Sequence, residues 1–259
     1  MIFSKDSYDT PENKKRCIWD KLFLNSRFYL YLQFLFIIFK ANKVAKLGKF
    51  NDAEYCKIAD NTFKLLESCG AKLHIRGIEN IREVNGPVVF IGNHMSILET
   101  FILPGLIIPF KPVSFVVKES LINHSFFGTI MKATNPISVT RTDPKKDFKS
   151  VMTGGQKLIE EGRSIIVFPQ STRGSFVAEE FGSIGDKLAQ KANVTVIPVA
   201  LKTDFWSNGT TFKDFGRIYR DRKIYFEFGK PLGTDIEKKE RHSLIVNFIE
   251  PKLKKWSSQ

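Results

Sequence analysis

From residue 74 onward the chain alternates short β-branched and aromatic runs with amphipathic stretches, and that alternation leaves few architectures open. Residues 88–91, 113–117, 137–139, 164–168, 194–199 and 224–228 read as strands. Most are continuously apolar, the pattern of strands covered on both faces. Residues 144–161 form the clearest helix: Asp143 stands at its N-cap, Pro144 at its first position and Gly162 at its stop, while Gly154-Gly155 weaken its middle. Residues 236–256 read as a basic outer helix, broken or kinked at Pro251. Strand followed by helix, repeated, predicts an α/β fold with a largely parallel central sheet flanked by helices.

The first 73 residues are different. Residues 28–39 are apolar except for Gln33. As a helix that run is about 18 Å long, short of a hydrocarbon core of roughly 30 Å. No small-residue cleavage site follows it, and it begins further in than a secretory signal does. A second, more polar helix is expected over residues 44–68, stopped by Cys69-Gly70.

Charge bears on what these helices meet. The chain carries 40 Lys+Arg against 27 Asp+Glu, for a net charge of +13, and residues 1–50 hold ten Lys/Arg against four Asp/Glu. Nearly half the excess thus flanks one aromatic-rich segment. The reading is an N-terminal two-helix membrane-associating motif, monotopic on the cytoplasmic face, with its cations toward anionic headgroups. The alternatives are a strained membrane-spanning helix and a buried core helix over 28–39. A nucleic-acid partner is not expected, since the basic residues gather beside the Phe-rich helix and no reading module is present. Cys17, Cys56 and Cys69 are an odd number without C-x-x-C spacing, which argues against a disulfide framework and against a metal site.

Chemistry-bearing residues gather where the predicted strands end. Behind residues 88–91 comes Gly92-Asn-His-Met-Ser-Ile-Leu-Glu99. Five residues of helix would set His94 and Glu99 about 140° apart, so they meet only if His94 stands in the loop and Glu99 in the helix. Such a pair is a general base with its orienting carboxylate; taken alone, a His and a Glu near a turn are more often a solvated or capping pair. Lys118 and Arg141 follow two other strands, either as solvated cations or as an anion-binding rim. Phe168-Pro-Gln-Ser-Thr-Arg-Gly174 follows a fourth, and the side chains of Gln170, Ser171, Thr172 and Arg173 suit a phosphate-like head group. No nucleophile elbow, Walker loop or metal-ligand spacing is present, so base-assisted direct transfer fits better than a covalent enzyme intermediate.

Asn93-His94 with Glu99, the block at residues 115–121, Phe126-Phe-Gly128 leading to Arg141, Phe168-Pro-Gln-Ser-Thr-Arg173 and Val196-Ile-Pro-Val199 occur in the order and spacing of the glycerolipid acyltransferase blocks. Over residues 74–230 the chain resembles that family, and within it the 1-acylglycerol-3-phosphate acyltransferases. The resemblance implies two units, membrane-anchoring helices over 1–73 and an acyltransferase domain over 74–259. It implies fatty-acyl transfer from an acyl thioester, acyl-CoA or acyl carrier protein, to a lysophospholipid hydroxyl in phospholipid biosynthesis, without a cofactor. On that reading His94 is the general base and Glu99 its orienter, and Lys118, Arg141, Gln170, Ser171, Thr172 and Arg173 bind substrate. Membrane lipids and the donor are the expected partners of a monomer. Two departures stand out: Glu99 where Asp is usual, and Gln170-Ser171 where the family has Glu-Gly. They keep two alternatives open, a catalytically inactive lipid-binding relative and an enzyme for a lyso-aminolipid or lipid A precursor.

Overall fold

The structure, a computed structural model, describes residues 6–24, 26–124, 127–170 and 172–258. Its strands are β1 (Tyr8–Asp9), β2 (Leu73–Arg76), β3 (Val89–Gly92), β4 (Val113–Lys118), β5 (Ile137–Val139), β6 (Ser164–Val167), β7 (Val196–Lys202) and β8 (Ile224–Phe228). The helices are α1 (Ile18–Leu22), α2 (Phe28–Lys46), α3 (Asp52–Ser68), α4 (Ile78–Arg82), α5 (Leu98–Ile107), α6 (Glu119–Ile122), α7 (Gly128–Ala133), α8 (Pro144–Glu160), α9 (Ile184–Ala192) and α10 (Lys238–Ser257).

All strands join one sheet in the order β1-β2-β8-β7-β3-β6-β4-β5. From β7 to β5 every neighbour is parallel. β8 then runs antiparallel to β7, β2 parallel to β8, and β1 antiparallel to β2. The sheet is therefore mixed and mostly parallel. The direction reverses at β8 because the connection from β7 makes no helical crossover, which a parallel neighbour would need.

Successive strand residues face opposite sides, and the two sides build two cores. Phe90, Ile166, Ile197 and Phe226 pack under α2, α3, α5 and α7. Val89, Ile91, Ile165, Val167 and Ala200 pack under α8, α9 and α10. Asn93, fully buried, ties β3 to β7: its amide nitrogen donates to the Leu201 carbonyl at 2.7 Å and its amide oxygen accepts from Leu201 N–H at 2.8 Å.

Several boundaries differ from the sequence reading. α2 is a 19-residue helix rather than twelve apolar residues, because Ala41 continues its buried stripe past Lys40. The second helix starts at Asp52, not at residue 44: Gly48 takes a φ of 67°, and the Asn51 side chain caps the new helix by accepting from Glu54 N–H at 3.0 Å. α10 continues through Pro251 without a break. In α8 the Gly155 position has a packing reason, since a Cβ there would stand 2.6 Å from both methyls of Leu188 in α9.

α2 is apolar on two sides. Leu30, Tyr31, Phe34, Ile38 and Ala41 form a buried stripe, while Phe28, Leu32, Phe36 and Phe39 are more than half exposed. Ile18, Trp19 and Leu22 of α1 are also exposed. By length and composition α2 is also apolar enough to cross a membrane.

Candidate active site

The helices that follow adjacent strands β3 and β6 lie on opposite faces of the sheet, α5 with the α2 layer and α9 with the α10 layer. The chain diverges at their carboxyl ends, the topological switch point where ligands usually sit in an open α/β sheet. His94 stands in the loop leaving β3, and Phe168 in the segment leaving β6.

Glu99 lies in the first turn of α5 and is fully buried. Its Oε1 accepts from Ser96 N–H at 2.8 Å, from Met95 N–H at 3.2 Å and from the Thr203 hydroxyl. Ser96 Oγ in turn accepts from Leu98 N–H at 3.2 Å and donates to Thr203 Oγ1 at 2.9 Å. Ser96-Ile-Leu-Glu99 is thus a capping box at a helix N-terminus, where the dipole favours a carboxylate. These donors compensate the burial of a charge that would otherwise be costly.

Glu99 Oε2 is 2.6 Å from His94 Nδ1. An ionised carboxylate only accepts, so Nδ1 carries the hydrogen and Nε2 is left as the basic nitrogen. The His94 ring also lies flat on Phe168, 4.4 Å between centroids and 4° between planes. Its backbone is gripped on both sides: His94 N–H donates to Gln170 Oε1 at 2.7 Å, and Gly174 N–H donates to the His94 carbonyl at 3.0 Å. Such an imidazole is oriented, partly shielded and able to accept a proton from a hydroxyl.

The other sequence-derived residues have varied fates. Lys118 is exposed at the end of β4. Arg141 follows β5 with a left-handed φ of 64°, held by its N–H donating to Asp147 Oδ2 at 2.6 Å. Gln170 spends its amide on backbone, donating from Nε2 to the Ser175 carbonyl at 3.3 Å while its oxygen takes His94 N–H. Thr172 Oγ1 accepts from Lys213 Nζ, and Arg173 Nη2 is 2.6 Å from Asp214 Oδ1. Ser171 and Phe126 lie outside the described residues.

Four contributors escaped the sequence reading: Thr203, Asn208, Lys213 and Asp214. All lie after β7, on the segment leading to β8. Asn208 donates to the Met95 carbonyl at 2.9 Å, which docks that segment on the His94 loop. Partial desolvation of the exposed Lys213 side chain, together with the neighbouring Arg173, Arg141 and Lys118, holds its amine below the ordinary range, with Asp214 opposing. Burial and Arg173 likewise lower Arg141, with Asp147 opposing. Cations from three strand ends and from this segment therefore share one neighbourhood.

The chain is similar to known proteins along the same stretch. It is 34% identical over 134 residues to a 1-acyl-sn-glycerol-3-phosphate acyltransferase of Pseudomonas aeruginosa, covering 51% of this chain and 49% of that one. To the enzyme of the same name from Borreliella burgdorferi it is 30% identical over 140 residues, covering 51% and 52%. The aligned regions thus span about half the length of these curated relatives. In fold it is similar to the crystal structure of the 1-acyl-sn-glycerophosphate (LPA) acyltransferase PlsC from Thermotoga maritima, with a TM-score of 0.64 at 16% identity over 93% of this chain and 98% of that one. The Acyltransferase family model matches residues 72–202, a stretch that contains His94, Glu99, Lys118, Arg141 and Arg173. With half its length under that model, the chain belongs to the acyltransferase family.

Proposed function

We propose that this protein transfers a fatty-acyl group from an acyl thioester, of CoA or acyl carrier protein, to the free hydroxyl of 1-acylglycerol 3-phosphate in phospholipid biosynthesis. The observation that carries the reading is the 2.6 Å contact between His94 Nδ1 and Glu99 at the carboxyl end of β3, with Lys118 ending β4 and Arg141 and Arg173 following β5 and β6. Relatives named for this acceptor support it.

His94 Nε2 takes the proton of the acceptor hydroxyl as its oxygen forms a bond to the thioester carbonyl carbon. Glu99 stabilises the imidazolium that results. The tetrahedral oxyanion collapses, the C–S bond breaks, and the thiolate leaves. The imidazolium proton returns to sulfur or to solvent, with little acid help needed because a thiol is already acidic. No cofactor takes part. Lys118, Arg141 and Arg173 hold the acceptor's phosphate. Gln170 braces the base, its neutral amide taking His94 N–H where the family's carboxylate would stand, so its lost charge does not disable the site.

The exposed stripe of α2 with α1 rests in one leaflet of the cytoplasmic membrane face, which brings the His94 site to its lipid substrates. The test is thiol release coupled to product mass spectrometry on purified protein. Acyl-CoA or acyl carrier protein thioester with lysophosphatidate in vesicles should give stoichiometric thiol and diacylated product. Lysolipid binding with no thiol release from either donor would sink the reading and favour an inactive lipid-binding relative.

A further inference from the structure

The segment between β7 and β8 lies wholly beyond residues 72–202, so Lys213 and Asp214 are outside the family's matched stretch. Yet it forms a wall of the candidate site, and it is fastened on two sides. Toward the site, Asn208 donates to the Met95 carbonyl, Lys213 Nζ to Thr172 Oγ1, and Arg173 pairs with Asp214. Within the segment, Trp206 Nε1 donates to the Asp214 carbonyl at 2.8 Å. Toward the apolar helix, Tyr31 of α2 donates its hydroxyl to the Gly216 carbonyl at 2.5 Å and stacks edge-on with Phe215. Tyr31 and Phe34 both pack on Trp206, at 5.0 and 4.9 Å between centroids. A loop so held presents its charges at a fixed place.

We propose that Lys213 is a ligand of the acceptor's phosphate, and that with Asp214 positioning Arg173 it makes the site selective for a phosphomonoester over a singly charged phosphodiester. The proposal deepens the acyl-transfer reading and rests on it for the identity of the acceptor. Charge decides the class. Lys213 feels Arg173, Arg141 and Lys118 with Asp214 opposing, and Arg141 feels Arg173 with Asp147 opposing. Four cations against two carboxylates leave two positive charges, and a phosphomonoester near neutral pH carries about −1.5 to −2, against about −1 for a diester. Lys213 suits this role because it is a mobile, multiply donating point charge whose present partner is a neutral hydroxyl, an exchange that a phosphate oxygen wins.

The experiment compares wild type, Lys213→Met and Lys213→Arg for turnover, and for equilibrium binding of a soluble short-chain lysophosphatidate and of the matching lysophosphatidylglycerol. In Lys213→Met the phosphomonoester Kd and KM should rise about tenfold with kcat within twofold, while values for the diester barely move. Lys213→Arg should restore most of the preference, and Asp214→Asn should weaken the same ligand with its fold intact by circular dichroism. An unchanged ratio of monoester to diester affinity in Lys213→Met overturns the proposal, whether or not turnover is seen. Monoester binding weakened in Lys213→Met, with no thiol release from wild type, would leave Lys213 as an anion ligand and reject only the acyl-transfer reading.

Discussion

The imidazole of His94 lies flat against Phe168, with 4.4 Å between ring centroids and 4° between their planes. The Glu99 bond to Nδ1 fixes the ring about one axis, and Phe168 fixes the other. The imidazole is thus held in orientation before any substrate arrives, the condition under which positioning would lower the barrier of the proposed transfer. Phe168→Ala should therefore lower kcat by about ten- to a hundredfold with a smaller change in acceptor KM. Steady-state kinetics on both substrates checks this, and a change confined to KM would speak against it.

Glu99 has two duties, capping α5 and orienting His94, and its length serves both. Glu99→Gln should cut kcat by about ten-thousandfold, the scale seen when an orienting carboxylate is lost from a His-based site. Glu99→Asp withdraws the carboxylate by about 1.5 Å, one carbon–carbon bond. It can then reach the Ser96 N–H or His94 but not both, and activity should fall about tenfold or more while the helix cap survives. Kinetics alongside thermal unfolding separates the two duties.

Partial desolvation and the surrounding Arg173, Arg141 and Lys118 hold Lys213 below the usual lysine value of 10.5, so its proton is lost earlier in the folded protein than in the unfolded chain. In the window between the two, the unfolded chain binds more protons, and ligand-free stability should rise with pH. Below that window both states are protonated and the crowding of cations stays as a fixed penalty. A bound phosphate reverses the sign by favouring the protonated amine. Lysophosphatidate binding at a pH near the lowered pKa should thus take up protons, and its affinity should fall as pH rises through that pKa. Calorimetry in buffers of different ionisation enthalpy reads the proton uptake, and Lys213→Met should reduce it.

Leu32, Phe36 and Phe39 are exposed on the outer face of α2, where Lys40 Nζ lies 4.3 Å from the Phe36 ring centre. Replacing all three by Ser removes apolar surface that serves no core. Each such side chain is worth about 1.5–3 kcal/mol when buried, so partitioning to anionic vesicles should fall at least about a hundredfold. Thermal stability without vesicles should stay within about 1 kcal/mol, as for ordinary surface changes. Co-sedimentation and thermal melts measure both, and unchanged vesicle binding would contradict a role for this stripe in the membrane.

Much of this architecture is legible in the residues. The strands from β3 to β8 announce themselves because buried parallel strands need uninterrupted apolar side chains. β2 does not, since Leu73-His-Ile-Arg76 is four residues with alternate ones polar, and β1 is only two residues long. The His94 and Glu99 contact follows from spacing plus a strand end, and Ser96-x-x-Glu99 carries a helix-start signature that marks where α5 begins. The β7 to β8 segment is illegible for a physical reason. Lys213 and Asp214 meet Thr172 and Arg173 some forty residues away through tertiary packing against α2, and nothing local encodes that meeting. Gln170 shows the same limit, because a residue type suited to a head group is here committed to the backbone of the base.

The proposed acyl transfer rests on the basic nitrogen of His94. The most direct test is thiol release from acyl-CoA with lysophosphatidate in vesicles, comparing wild type with His94→Ala and His94→Gln at matched fold and vesicle binding. Both variants should lose about a thousandfold or more in kcat while still binding the acceptor within a few-fold of wild type. Turnover within tenfold of wild type in either variant would contradict the mechanism.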